Sequence, residues 1–225
     1  MTGRFVLRKL PEPLANWLRS KKDAVYYRGD PKRYFHEVFD NNKWCNEESV
    51  SGPGSTLEAT KNIRREMPAL LRALQIKTLV DAPCGDCNWI STCLPKEIAY
   101  IGGDIVNEIV QQNRMRYPHF GEFRLMDIIN DKLPTADAIL VRDCLIHLPN
   151  ELALKALKNI YAADIKYLFS TSYVLVQENE DVEIGDFRRI NLQLSPFLLP
   201  EPDYKIFENF EEEFGRILGV WRLRP

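Results

Sequence analysis

The chain has 225 residues, 45% of them hydrophobic, and a formal charge of -2. That size suits one α/β domain with extra structure at its edges, and the charge gives no global basic field to favour nucleic acid. No apolar run reaches the about 18 residues of a membrane span, and the opening MTGRFVLRKLPEP has neither the apolar core nor the cleavage site of a secretion signal. Five scattered cysteines (Cys45, Cys84, Cys87, Cys93, Cys144) suit a reducing cytoplasm better than a disulfide scaffold. Homo-oligomerisation stays open.

Residues 1–55 are rich in aromatic and charged side chains, among them Trp17, Tyr26, Tyr27, Tyr34, Phe35, Phe39 and Trp44. They are expected to form short helices that cover the domain beginning at residue 56. Ser55-Thr56-Leu57-Glu58 reads as a capping box, with Ser55 as N-cap. The helix it opens places Ile63, Met67, Leu70, Leu71 and Leu74 on one face, with Pro68 bending or splitting it. Strands are then expected at 78–81, 100–104, 122–127, 136–142 and 167–172. Helices alternate with them at 88–94, 106–117 and 150–163. That rhythm predicts a mostly parallel sheet with helices on both faces. Residues 183–204 read as a long loop, and 205–210 and 216–223 as two strands joined too briefly for a crossover, hence antiparallel.

Between the first strand and the helix after it lies KTLVDAPCGDCNWI, residues 77–90. Its Cys84-x-x-Cys87 has no second knuckle to complete a zinc site, and the chain is too long and in the wrong order for a thioredoxin-like redox pair. A ligand-binding turn accounts for more of it. Ligands of open α/β sheets bind beyond the carboxyl ends of the strands, where Gly85 lets backbone approach. The next strand ends in Asp104, 23 residues after Asp81, placed to accept from ribose hydroxyls. The third ends in Asp127, placed at an adenine edge. Only one glycine stands in the turn, and Asp81 and Asp86 would repel a pyrophosphate there. A ligand with ammonium and sulfonium groups would be welcome, which favours S-adenosylmethionine (SAM) over NAD.

The run LVDAPCGD…YIGGDI…LMDI…ADAILVRDCLIHL resembles the class I (Rossmann-like) SAM-dependent methyltransferases, with Pro83 and Asp86 standing where that family commonly has glycines. The resemblance implies an open seven-stranded α/β sheet, mostly parallel, with a terminal antiparallel pair. It implies that Asp81, Ala82, Pro83, Cys84 and Gly85 line the methionine half of SAM, that Asp104 with Ile105 binds the ribose, and that Asp127 and Ile128 hold the adenine. The fourth strand's end would face the methyl group. Arg142, Asp143 and His147 cluster there, Arg142 beside the cofactor. His147 is the candidate general base because its ordinary pKa lies near neutrality, and Asp143 its orienting partner one helical turn away. A packed, structural His147 is the alternative. No convincing second and third ligand joins Asp143 for a metal.

Ahead of the expected helix N-terminus, Ser51, Gly52 and Gly54 are placed to hold the SAM carboxylate, with Trp44 as a lid. The acceptor is expected between the N-terminal aromatics, such as Tyr27, and Arg188, Arg189 and Asn191 in the long loop. Aromatics beside hydrogen-bonding groups suit a sugar or glycan, and also a phenol or a carboxylate. O-methylation leads, because a base helps an alcohol more than an amine. Methylation of another small molecule, a nicotinamide-dependent oxidoreductase and a non-catalytic SAM-binding subunit are the alternatives.

Overall fold

The protein is described by a computed structural model covering residues 29–224. Its strands are β1 (Thr78–Asp81), β2 (Ala99–Asp104), β3 (Glu122–Leu125), β4 (Ala136–Val141), β5 (Ile165–Tyr173), β6 (Tyr204–Phe207) and β7 (Arg216–Arg222). The helices are α1 (Pro31–Asp40), α2 (Lys61–Ala73), α3 (Asn107–Arg116) and α4 (Asn150–Ala162). One seven-stranded sheet has the order β3-β2-β1-β4-β5-β7-β6. The first five strands are parallel, and β7 runs antiparallel to both β5 and β6. The alternating rhythm and the terminal antiparallel pair read from the sequence are both present.

The central strands are apolar on both faces because helices cover both. Period-two alternation sorts their side chains between two cores. Val80, Ile139 and Leu168 join the core that holds α4, while Leu79, Leu140 and Phe169 join the one that holds α2. On α2, Ile63, Met67 and Leu71 recur every four residues and are fully buried, with Leu70 and Leu74 packed beside them. Pro68 does not split this helix, which runs unbroken from Lys61 to Ala73.

Two local expectations fail for identifiable reasons. The capping box does not form: Pro53–Ser55 is a single 3-10 turn, and α2 starts only at Lys61. The Thr56 hydroxyl, not Ser55, accepts from the amide three residues on, at Ala59 (3.2 Å). The helix expected over 88–94 is likewise only a 3-10 turn, Ile90–Thr92. Cys87 before it has φ +55°, and the Ser91 and Thr92 hydroxyls donate back to the carbonyls of Asn88 and Trp89, competing with helix hydrogen bonds.

The strand order reverses direction between β1 and β4. The crevice this opens at their carboxyl ends is where such sheets take ligands.

Candidate active site

A cavity occupies that crevice. Trp44 and Ser51 line it from the N-terminal segment, and Asp81, Ala82, Pro83, Cys84 and Gly85 from the end of β1. Asp104 ends β2 and Ile105 follows it, Asp127 and Ile128 follow β3, and Arg142, Asp143 and His147 follow β4. The structure thus brings together, from segments far apart in sequence, nearly every residue singled out for cofactor and catalysis. Gly54 does not line the cavity, and neither does Gly52. Gly52 lies behind Trp44, where a Cβ would stand 3.4 Å from that side chain.

Two buried carboxylates form the β1–β2 side. Asp81 accepts from the Tyr100 hydroxyl at 2.7 Å, and burial pushes its pKa to about 7 against that bond. Asp104 accepts the amides of Gly85 (3.1 Å) and Val106 (2.9 Å); burial still raises its pKa to about 6. These bonds tie the β1 turn to the residue that precedes α3. A carboxylate has about four lone-pair sites, so two accepted bonds leave room for ribose hydroxyls. Asp127 accepts from Ile129 N and Asn130 Nδ2, both at 2.8 Å, which fixes the turn after β3.

Gly85 has φ +53°, and a Cβ there would fall 2.0 Å from Ser51 Oγ. The turn and the N-terminal segment therefore touch at this point. Asp86 ties them: its carboxylate accepts from Ser49 Oγ (2.9 Å) and Val50 N (3.0 Å). The negative charge expected to face a ligand instead secures a loop. Cys84 and Cys87 are free thiols, and Asn113 Nδ2 lies 3.7 Å from each sulfur. Among the described residues, no group of three or more His, Cys, Asp or Glu converges on a common point.

Beyond β4 the charges pair with one another. Arg216 of β7 donates to both Asp143 oxygens (2.8 and 2.7 Å), and Arg142 lies 3.1 Å from one of them. Arg142 also donates to Glu208 (2.6 Å) and to Gly54 O (2.8 Å). Burial opposes ionisation of Asp143, but the two guanidiniums outweigh it and hold the carboxyl well below its usual range. Asp143 does not orient His147. It has φ +53°, and His147 sits in a separate 3-10 turn, Leu145–His147. The expectation of one shared helical face therefore does not hold.

The His147 Nδ1 lies 3.0 Å from the Asp186 carbonyl. A carbonyl only accepts, so Nδ1 carries the hydrogen and the neutral ring keeps its lone pair on Nε2. Burial lowers its pKa, outweighing the pull of that carbonyl. Trp44 stacks on the ring at 5.5 Å and 26°. Trp44 thus braces His147, and the Gly52–Gly54 stretch opens a 3-10 turn of three residues, not the helix N-terminus expected for a carboxylate.

The loop residues assigned to the acceptor do not reach the cavity. Arg188 is 5% exposed and donates to Asn150 Oδ1 and to the carbonyls of Glu180 and Leu148. Asn191 is held by Val176 O and Gln193 N. Arg189 pairs with Glu211. Tyr27 lies outside the described residues. Phe35 and Phe39, read from the sequence as covering aromatics, line the cavity wall; Trp89 in that wall, and Arg216 and Glu208 behind it, were not foreseen. No local signal marked Arg216 and Glu208.

No protein-family model matches the sequence, and no curated protein sequence does. Solved structures do. Burkholderia thailandensis 1,6-didemethyltoxoflavin-N1-methyltransferase, with bound 1,6-didemethyltoxoflavin and S-adenosylhomocysteine, has a TM-score of 0.58 at 15% identity, over 89% of this chain and 92% of that one. The methyltransferase domain of bacterial CtHen1 has a TM-score of 0.53 at 15% identity, over 73% of this chain and 99% of that one. Topology, strand order and these likenesses agree: the chain has the class I SAM-dependent methyltransferase fold.

Proposed function

We propose that the chain is a methyltransferase that uses SAM to methylate an acceptor hydroxyl. One observation carries this reading: acidic groups at the ends of β1, β2 and β3 and a histidine after β4 line a single cavity. Asp104 would take the ribose hydroxyls, Asp127 and Ile128 would flank the adenine, and the Asp81–Gly85 turn would lie along the methionine part. The residues present fit SAM, since the buried acidic groups Asp81 and Asp104 at the cavity wall suit a cationic ligand with ribose hydroxyls. SAM would supply a methyl carbon activated by its sulfonium.

The protein's tasks are placement and proton removal. Alignment in a site of this kind is worth about 7–11 kcal/mol in favourable systems, and a positioned base roughly 10²–10⁴-fold. His147 is the base: the Asp186 carbonyl and the Trp44 ring fix it, with Nε2 free to accept. Asp143 is held too acidic for that role, so its duty is to anchor Arg142 and Arg216. α1 and Trp44, within the segment ending at residue 55, serve as the cover. The sugar or glycan acceptor loses the support it drew from Arg188, Arg189 and Asn191, whose side chains are engaged elsewhere.

Titration calorimetry with S-adenosylhomocysteine (SAH) and with NADH tests the reading. Saturable SAH binding is expected. Tight NADH binding without SAH binding would show a nicotinamide enzyme instead.

A further inference from the structure

We infer that the acceptor is a neutral, flat aromatic compound bearing a hydroxyl, a phenol by class, seated against the ring strip Trp44–His147–Phe187. This rests on the methyltransferase reading above. The strip is built from three segments far apart in the chain. Trp44 and His147 are offset-stacked in the cavity wall, and the Phe187 ring centroid lies 6.1 Å from that of His147 at 53°. Phe187 is 47% exposed, so the strip runs from the wall to the surface. It is nonetheless held in place. The Arg189 guanidinium lies 5.4 Å from its ring centroid, is seated 3.6 Å over Phe214, and is anchored to Glu211. Phe187 lies outside the cavity lining but next to His147, which is part of it, and an exposed, anchored aromatic there is apolar surface left available to a ligand; aromatic pairs favour flat partners.

Charge narrows the class. Beyond β4, three guanidiniums (Arg142, Arg189, Arg216) meet three carboxylates (Asp143, Glu208, Glu211) at 2.6 to 3.3 Å, which leaves no net charge. At this cluster an ammonium or a carboxylate acceptor finds no uncompensated partner, so neither gains an ion pair there without breaking one already formed. A sugar needs several free donors and acceptors, and the loop residues that could supply them are satisfied elsewhere.

The chemistry balances. The phenolic oxygen bonds to the methyl carbon, the carbon–sulfur bond breaks, and its electron pair returns to sulfur, giving a neutral thioether. The phenolic proton passes to Nε2 of His147 and then to water.

The test uses the full chain. SAH binding is measured first by calorimetry. Saturation-transfer NMR with SAH present then compares 2-naphthol, methyl α-glucoside, benzylamine and benzoate. Finally, methyl transfer from labelled SAM to 2-naphthol is followed in wild type and in Phe187→Ser, a half-exposed site whose change should leave the fold intact. We expect naphthol alone to bind and to be methylated. Phe187→Ser should raise its KM about tenfold while SAH affinity is unchanged. If SAH binds but the glucoside, the amine or the benzoate is preferred, or if Phe187→Ser leaves the naphthol KM unaltered, the acceptor inference falls and the methyltransferase reading stands. If SAH does not bind, both fall.

Discussion

Replacing Asp143 by Asn tests whether this carboxylate is an anchor or a reactant. The side chain is 18% exposed and is gripped by Arg216 through two bonds of 2.7 and 2.8 Å, by Arg142 at 3.1 Å and by the Thr171 hydroxyl at 3.0 Å. Asn cannot balance two buried guanidiniums. Removing one partner of a buried pair costs about 3–5 kcal/mol. At about 2–4 °C per kcal/mol for a chain of this size, the melting temperature should fall by about 6–20 °C. Urea unfolding followed by circular dichroism reads the loss directly. The double replacement Asp143→Leu with Arg216→Met leaves two guanidiniums facing two carboxylates, so it should recover much of the deficit. The reasoning is refuted if Asp143→Asn unfolds at the wild-type urea midpoint while losing methyl transfer, because Asp143 would then act on substrate. The sign with pH follows from its depressed folded pKa: its contribution is present above the ordinary carboxylate range and is lost as pH falls below it.

Asp81 behaves oppositely. Its pKa is raised to about 7 from 3.8, so the folded chain keeps a proton that the unfolded chain has released. That contribution is full below pH 3.8 and is lost as pH rises to about 7, amounting to at most about 4 kcal/mol. Urea midpoints at pH 5 and pH 8 should therefore diverge in wild type and lie closer together in Asp81→Asn, the part due to Asp104 remaining. Gly85→Ala should weaken SAH binding by about tenfold or more, since its φ of +53° is costly for any side chain and Ser51 Oγ occupies the space; calorimetry on the folded variant measures it. His147→Ala should lower kcat by roughly 10²–10⁴-fold and remove the acid limb of the pH profile, which in wild type falls below the ordinary histidine pKa. Unchanged kcat would assign His147 to packing.

What could be read from the sequence was what is encoded locally. A strand that ends in Asp delivers that carboxylate to the sheet's rim, so Asp81 and Asp104 were located by periodicity and spacing; Asp127 reaches the same rim from the turn after β3, which ends at Leu125, two residues short of the strand expected to 127. The stripe of Ile63, Met67 and Leu71 was equally plain, because burial on one helix face repeats every four residues. The failures lie where a distant partner decides. Arg188 looked like a free loop cation, yet it is buried among the carbonyls of Leu148 and Glu180. Arg216 was legible only as the first residue of a strand, but antiparallel pairing of β7 with β5 brings it to Asp143, 73 positions away. Ser55 matched a capping pattern, and the Pro53 turn moved the helix start beyond its reach.

Cofactor recognition by Asp104 is the claim on which the rest depends. Calorimetry of SAH with wild type and with Asp104→Asn tests it most directly. The carboxylate should be worth about 1.5–3 kcal/mol to the ribose, so the variant should bind roughly tenfold to a hundredfold more weakly while keeping wild-type secondary structure. Equal affinity in the two proteins, or no SAH binding in either, would contradict the account.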